Sequence, residues 1–273
     1  MVSSLSMIVM GITCFICFVI PLMLIWWARK KYQASLKSFF IGMIAFIVAV
    51  QILEAPFHLY FLKHNLTTAS WLGQPILYRV YAGLMAGIFE ESARYICFKW
   101  ILKKENRLQD AFSYGIGHGG IEAMLIVGTT YLSNLVVSIF INQGLLDSLG
   151  FSSDLQEVVT QQLTMTPSIL FGVAGYERLM TIIIQIGLSI LVFKAVREKK
   201  IRYYVIAILL HALLDFPAAF YQLGLSNLWV MEGSVTLFAI GWLVFIIKQM
   251  KKYRADLTRC EDEELLKYQK AGY

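Results

Sequence analysis

Charged residues are scarce in this sequence. Only 15% of its 273 residues are Asp, Glu, Lys or Arg, compared with roughly 25% in soluble domains, and 58% are hydrophobic. This composition excludes an ordinary soluble domain and indicates a polytopic membrane protein. The net charge of +6 does not indicate a nucleic-acid partner, because Lys and Arg lie in short clusters beside the apolar runs.

Cysteine is also sparse, with four residues in the chain. Cys14 and Cys17 form a Cys-x-x-Cys pair inside the first apolar run, and no second pair accompanies them. We therefore expect packing roles and neither a disulfide framework nor a zinc or redox centre there. The first apolar run is followed by Arg29, Lys30 and Lys31, which is typical of a retained span and not of a cleaved signal peptide.

Apolar runs long enough to cross a bilayer follow one another along the chain, since a crossing needs about 20 residues. The fourth run is longer than that, which predicts a tilted or broken helix or one that extends past the bilayer. The polar segment 142–166 has the pattern of a short amphipathic surface helix. We predict an all-α fold of about seven transmembrane helices in one domain, 1–273, with a charged helical tail from about 251 to 273. The predicted spans are 7–27, 39–62, 75–102, 111–141, 167–196, 203–223 and 229–247.

The basic residues lie mainly in the loops on one side of the predicted membrane. They follow the first, third, fifth and seventh runs, whereas the alternate loops contain little beyond Lys63. The positive-inside rule then predicts a multi-pass protein of the cell membrane with its N-terminus outside and its C-terminus in the cytoplasm.

Three ionisable residues, Glu90, Glu91 and Arg94, lie near the middle of the third run. A charge in mid-bilayer costs roughly 2.5–3.5 kcal/mol on insertion scales, so such residues are normally paired, protonated or functional. Glu90 and Arg94 are four residues apart on one helix face, and Glu91 is turned about 100° from Glu90. One carboxylate can thus pair with Arg94 while the other points into a cavity. A purely structural ion pair is the alternative.

Histidines interrupt two later runs. His118 and Glu122 share one face of the fourth run, among glycines that allow a neighbouring helix or a substrate to come close. His211 and Asp215 have the same spacing in the sixth run, and an acid there can fix the tautomer of the imidazole. Each histidine taken alone could be a packing residue.

Glu177 and Arg178 are adjacent opposite charges in the fifth run. Because neighbours on a helix diverge by about 100°, we expect each to reach a different partner in a supporting role.

The depths of these residues predict one common site. At about 1.5 Å per residue, Glu91, His118 and His211 all fall in the middle or cytoplasmic half of the bilayer. The five acids of these motifs face only two arginines. The excess negative charge would be compensated by protonated carboxyls, a cationic histidine, water or a divalent metal.

The patterns Glu90-Glu91-x-x-Arg94, His118-x-x-x-Glu122 and His211-x-x-x-Asp215 resemble the motifs of a superfamily of intramembrane proteases. It includes the type II CAAX prenyl endopeptidases, bacteriocin-processing enzymes and the PrsW proteases. Over essentially the whole chain the sequence looks most like the bacterial YhfC family. The CAAX enzymes place the arginine one residue later and end their second motif with histidine, whereas the Arg94 spacing is nearer to PrsW.

The resemblance implies an intramembrane endopeptidase in a bacterial membrane, acting on a membrane protein or peptide. Glu90 or Glu91 would activate water, while His118 and His211 would orient that water or stabilise the developing charge. The relatives have Asn where Asp215 stands, as a donor to the oxyanion. An ionised Asp would repel an oxyanion, so Asp215 either stays protonated or serves His211, and we favour the second. The implied supporting residues are Arg94, Glu122, Asp215, Glu177 and Arg178.

A metal-dependent version of the site is the alternative mechanism. It would hold Zn²⁺ with His118, His211, Glu90 and Glu122. The sequence contains no His-Glu-x-x-His motif, so we favour the glutamate mechanism, which needs no cofactor. Two other classes compete with a protease, namely a non-catalytic factor related to bacteriocin immunity and a proton- or cation-coupled transporter. Paired glutamates with two histidines at one depth suit the protease better, and no broken-helix repeat supports a transporter.

Overall fold

The computed structural model describes residues 1–222, 224 and 226–270, which form helices joined by short loops, without a strand in those residues. The all-α prediction is therefore confirmed. Within these residues, side chains are described for positions up to 253 and for 255, but not for 219 and 222. The helices are α1 Ser4–Tyr32, α2 Leu36–His64, α3 Leu66–Leu72, α4 Pro75–Ile96, α5 Leu108–Gln143, α6 Ser153–Met165, α7 Ser168–Arg197, α8 Ile201–Gln222 and α9 Leu228–Lys270.

Six of these helices are long and apolar enough to cross a membrane, namely α1, α2, α5, α7, α8 and α9. The remaining predicted span, the third at 75–102, corresponds to α4, which a π-helical turn extends from Cys97 to Ile101. Its charged residues lower its hydropathy below that of the other spans. Those charges are buried against other helices, as expected when a membrane helix carries ionisable groups.

The long fourth span is one continuous helix, Leu108–Gln143, so the broken helix that its length allowed is not found. Met124–Gly128 is a π-helical turn inside α5. In the polar segment, α6 forms the expected short helix, and α9 continues past the membrane span into the charged tail. Leu223 and residues 271–273, which end the predicted sixth span and the tail, lie outside the described residues.

Helix α7 occupies the centre of the bundle, with 72% of its most apolar stretch buried. It packs against α1, α5, α8 and α9. The first half of α5, Leu108–Ala123, is buried at every residue but Ile121. Both stretches are buried on nearly all sides because other helices surround them. Polar side chains on them must therefore find partners inside the protein.

Glycines on α5 bring the neighbouring helices into backbone contact. A Cβ on Gly117 would collide with the carbonyl group of Phe39 on α2, and one on Gly115 would lie 2.5 Å from Cα of Ile186 on α7. The glycines that surround His118 thus admit neighbouring helices, which was one of the two alternatives that the sequence left open. The close approach places α2 and α7 on either side of His118.

Replacing Gly117 with Ala is expected to destabilise the protein by about 1–3 kcal/mol, because α2 must move away from α5. Gly233→Ala is the matched control, since nothing lies within 4 Å of a Cβ at that position. The control should leave stability unchanged or raise it by up to about 1 kcal/mol. Thermal unfolding of the purified variants in detergent measures both effects, and equal melting temperatures for the two variants would contradict the packing argument.

Candidate active site

One face of α4 carries the acids of the site and packs against α8. A Cβ on Gly83 would lie 2.9 Å from the carbonyl oxygen of Ala212, and one on Gly87 would lie 2.7 Å from that of Ile208. These two glycines let the backbone of α8 approach α4 closely. His211 on α8 is thereby placed beside the glutamate pair.

Glu91 holds His211 in place. Nδ1 of His211 lies 2.7 Å from Oε1 of Glu91, and Arg94 donates a hydrogen bond of 2.6 Å to the same oxygen. Glu91 and Arg94 are fully buried. The arginine keeps the carboxylate ionised as an acceptor, so Nδ1–H of His211 donates to it and Nε2 remains available. The sequence assigned this orienting role to Asp215, and that assignment is wrong because Glu91 fills the position.

Glu90 makes a second acid–imidazole pair with His118, with 2.8 Å between Oε2 and Nε2. His118, on α5, is fully buried, and the rings of Phe46 on α2 and of Tyr114 on α5 lie against it, with ring centroids 5.2 Å and 6.1 Å away. Close packing on both sides fixes the direction of its imidazole.

The two acid–imidazole pairs meet at Glu90. Its Oε1 lies 3.8 Å from Nε2 of His211, which is too long for a hydrogen bond. The structure therefore brings Glu90, Glu91, His118 and His211 together, as their similar predicted depths in the bilayer suggested. Both imidazoles face the same carboxylate from different helices.

Gln185 on α7 forms hydrogen bonds with three charged side chains of the site, and it was not predicted from the sequence. Its amide nitrogen donates to Glu122 at 2.8 Å and to Glu90 at 3.3 Å, while its oxygen accepts from Arg94 at 2.5 Å. In an apolar run, a neutral amide indicates a functional site less clearly than a charged residue does. Because Gln185 lies in the most buried stretch of α7, its amide nevertheless needs a polar partner.

Arg178 partly neutralises Glu122, donating to Oε1 at 3.1 Å. Arg178 also pairs with its neighbour Glu177. The expectation of separate partners is thus met for Arg178, which reaches another helix, but not for Glu177. Asp215, one turn after His211, makes no hydrogen bond or ion pair within the described part of the chain, although its charge interacts with those of His211 and Glu90.

Three of the four predicted metal ligands form a group with metal-binding dimensions. Glu90, His118 and Glu122 are buried, and one ligand atom from each lies within 4.8 Å of the others. One imidazole and two carboxylates suit a divalent ion such as Zn²⁺. The residues present therefore fit a metal centre. His211, the fourth predicted ligand, does not belong to this group.

A second polar group adjoins the site and was also missed. Glu54 lies 2.9 Å from Nε2 of His58, whose Nδ1 lies 3.1 Å from the hydroxyl of Tyr81. Glu54 is buried at the end of a π-helical turn of α2, and its charge interacts with those of Glu90 and His211. Such turns are frequent at functional sites. The sequence feature that could have identified Glu54 is an acidic residue within an apolar run.

These features define a polytopic membrane protein whose helices enclose a buried centre of acids and imidazoles. A family model described as YhfC intramembrane metalloprotease matches residues 16–235. The chain is 37% identical over 258 residues to the uncharacterized membrane protein YhfC of Bacillus subtilis (strain 168), covering 93% of this chain and 100% of that protein. The chain therefore belongs to the YhfC family. No solved structure was found to match it.

Proposed function

We propose that this protein is an intramembrane endopeptidase that hydrolyses a peptide bond of a membrane-associated protein or peptide. The observation that carries the proposal is the position of Glu90 between two imidazoles, 2.8 Å from His118 and 3.8 Å from His211. Hydrolysis needs a group that takes a proton from water and returns it to the leaving nitrogen. The description of the family supports the same reaction class.

His211 is suited to the proton transfers. Glu91 accepts one hydrogen bond from Nδ1–H of His211 and another from Arg94. These contacts fix the imidazole of His211 with Nε2 directed towards Glu90. This arrangement follows the general logic of a carboxylate that orients a histidine base. Nε2 would accept the proton of the attacking water and pass it to the amine that leaves, so no proton is gained or lost overall.

The cluster of Glu90, His118 and Glu122 would hold the divalent metal of a metal-dependent enzyme. When bound, such an ion lowers the pKa of its water and polarises the substrate carbonyl. In the glutamate version Glu90 would itself deprotonate the water. The compact donor group and the family description favour the metal-dependent version over the glutamate mechanism preferred from sequence.

The proposed setting is a bacterial cell membrane, with the N-terminus outside and the C-terminus in the cytoplasm. Lysines at the ends assigned to the cytoplasm lie over interfacial aromatic rings, as Lys30 does over Trp26 at 4.2 Å and Lys99 over Trp100 at 5.1 Å. Aromatic and basic residues of this kind anchor helix ends at headgroups. The proposed partners are the lipid bilayer and a membrane protein or peptide substrate.

The test compares protein N-termini in membranes of a Bacillus subtilis strain that lacks its own YhfC and carries this protein or its His211→Gln variant. We expect new N-termini near membrane segments with the wild type and at least about 100-fold slower formation with the variant. Asp147→Asn, a change on the loop before α6, is the control and should behave as the wild type. Identical N-termini with and without a functional His211 would refute the proposed activity.

A further inference from the structure

Arg79 on α4 is a buried cation without a partner among the described residues. It is 6% exposed, and its Nε and Nη1 have no hydrogen-bond acceptor among the described residues. No carboxylate of the described chain forms an ion pair with it. Burying an unpaired guanidinium is costly, because its hydration is lost and nothing replaces it. The position therefore calls for an anion that is not one of the described side chains.

The surroundings of Arg79 explain why Asp215 does not serve as that anion. The packing of Gly83 on Ala212 and Gly87 on Ile208 shows that α4 and α8 run antiparallel, which places Arg79 near Phe216, next to Asp215. Helical side chains lean towards the N-terminus of their own helix. Arg79 therefore leans towards the start of α4, whereas Asp215 leans the opposite way, towards His211.

The start of α4 supplies further donors in the direction in which Arg79 leans. The N-cap residue Gln74 makes no side-chain capping bond, and Pro75 has no N–H group. The N–H groups of Ile76 and Leu77 have no acceptor among the described residues. Free N–H groups at a helix N-terminus attract anions, and a guanidinium binds oxoanions through charge-assisted hydrogen bonds. Together the guanidinium and these N–H groups are suited to bind an oxoanion.

The path from this site to the catalytic centre is closed along α4. The backbone of α8 fills the face between Arg79 and Glu90 at Gly83 and Gly87, so a bound peptide could not run along it. The open approach is from the membrane surface, on the side opposite the lysine-rich helix ends. Ile76 and Tyr78, which are 65% and 41% exposed, present apolar surface beside it, as acyl chains require.

We propose that Arg79 and the first turn of α4 bind the phosphate of a phospholipid headgroup. This binding site is independent of the proposed peptidase activity. The lipid would compensate the buried charge and hold α4 against α8, and α4 is the helix that carries Glu90 and Glu91.

The test measures melting temperatures of delipidated protein in detergent, with short-chain phosphatidylglycerol or with diacylglycerol of the same chains, which lacks the phosphate. We expect phosphatidylglycerol to stabilise the wild type, and its apparent affinity to fall about tenfold in Arg79→Gln. Lys63→Gln is the matched control, because it removes an exposed positive charge from the same side of the membrane. Native mass spectrometry of the purified proteins counts the lipids retained by each.

The outcomes separate the alternatives. Without lipid, Arg79→Gln should be at least as stable as the wild type, because an uncompensated charge has been removed. Equal stabilisation of Arg79→Gln and wild type by phosphatidylglycerol would overturn the proposal, and so would equal stabilisation of the wild type by diacylglycerol.

Discussion

Replacing Glu90 with Gln is expected to lower the rate of peptide cleavage by about 100- to 10,000-fold, the usual contribution of a positioned acid–base group if Glu90 is the base, with a loss of the same order if it holds the metal. Gln has nearly the same shape, but it cannot carry the negative charge that both imidazoles face. The measurement is the initial rate at a cleavage site identified in membranes, with purified protein reconstituted in vesicles. Glu157→Gln makes the same chemical change on the exposed surface of α6 and should retain full activity.

Metal content distinguishes the two mechanisms in the same pair of variants. If Glu90 is a ligand, Glu90→Gln should carry less divalent metal per protein than Glu157→Gln, and chelation should inactivate the wild type. If Glu90 is the base of a glutamate enzyme, activity should fall while metal content and chelator response do not change. A Glu90→Gln variant that cleaves at more than a tenth of the wild-type rate would remove Glu90 from the reaction altogether.

The general architecture could be predicted because the bilayer restricts the alternatives. Apolar runs must be helices in the membrane, and an acid inside one of them needs a partner or a function. That reasoning located Glu90, Glu91, His118 and His211, which the structure brings together. It relied on depth alone, which follows from counting residues along each helix.

Specific pairings could not be predicted because they depend on which helices are neighbours. The sequence placed Glu90 on the same helix face as Arg94 but left open which glutamate pairs with it, and the structure shows Arg94 2.6 Å from Glu91 and 3.9 Å from Glu90. His118 draws Glu90 away, and this contact exists only because α5 packs beside α4. Gln185 and Glu54 were missed for the same reason, since α7 and α2 place them at the site only in three dimensions.

Replacing Arg94 with Met is expected to destabilise the protein by about 3–5 kcal/mol, the cost of breaking a buried ion pair on one side. Arg94 is fully buried and donates to Glu91 at 2.6 Å and to Gln185 at 2.5 Å. Without it, Glu91 is left as a buried charge whose remaining partner is His211. The free energy of unfolding is measured by SDS titration in mixed micelles, followed by tryptophan fluorescence.

The double variant Arg94→Met with Glu91→Gln separates the effect of charge from that of lost volume. Removing both charges should recover most of the stability, because no uncompensated ion remains, whereas a loss caused by volume would persist. Arg29→Met, an exposed change at the end of α1, should alter stability by no more than about 0.5 kcal/mol. A double variant as unstable as Arg94→Met alone would show that the arginine acts through packing. In that case Glu91 would not need Arg94 to remain ionised, and the argument that fixes the tautomer of His211 would lose its basis.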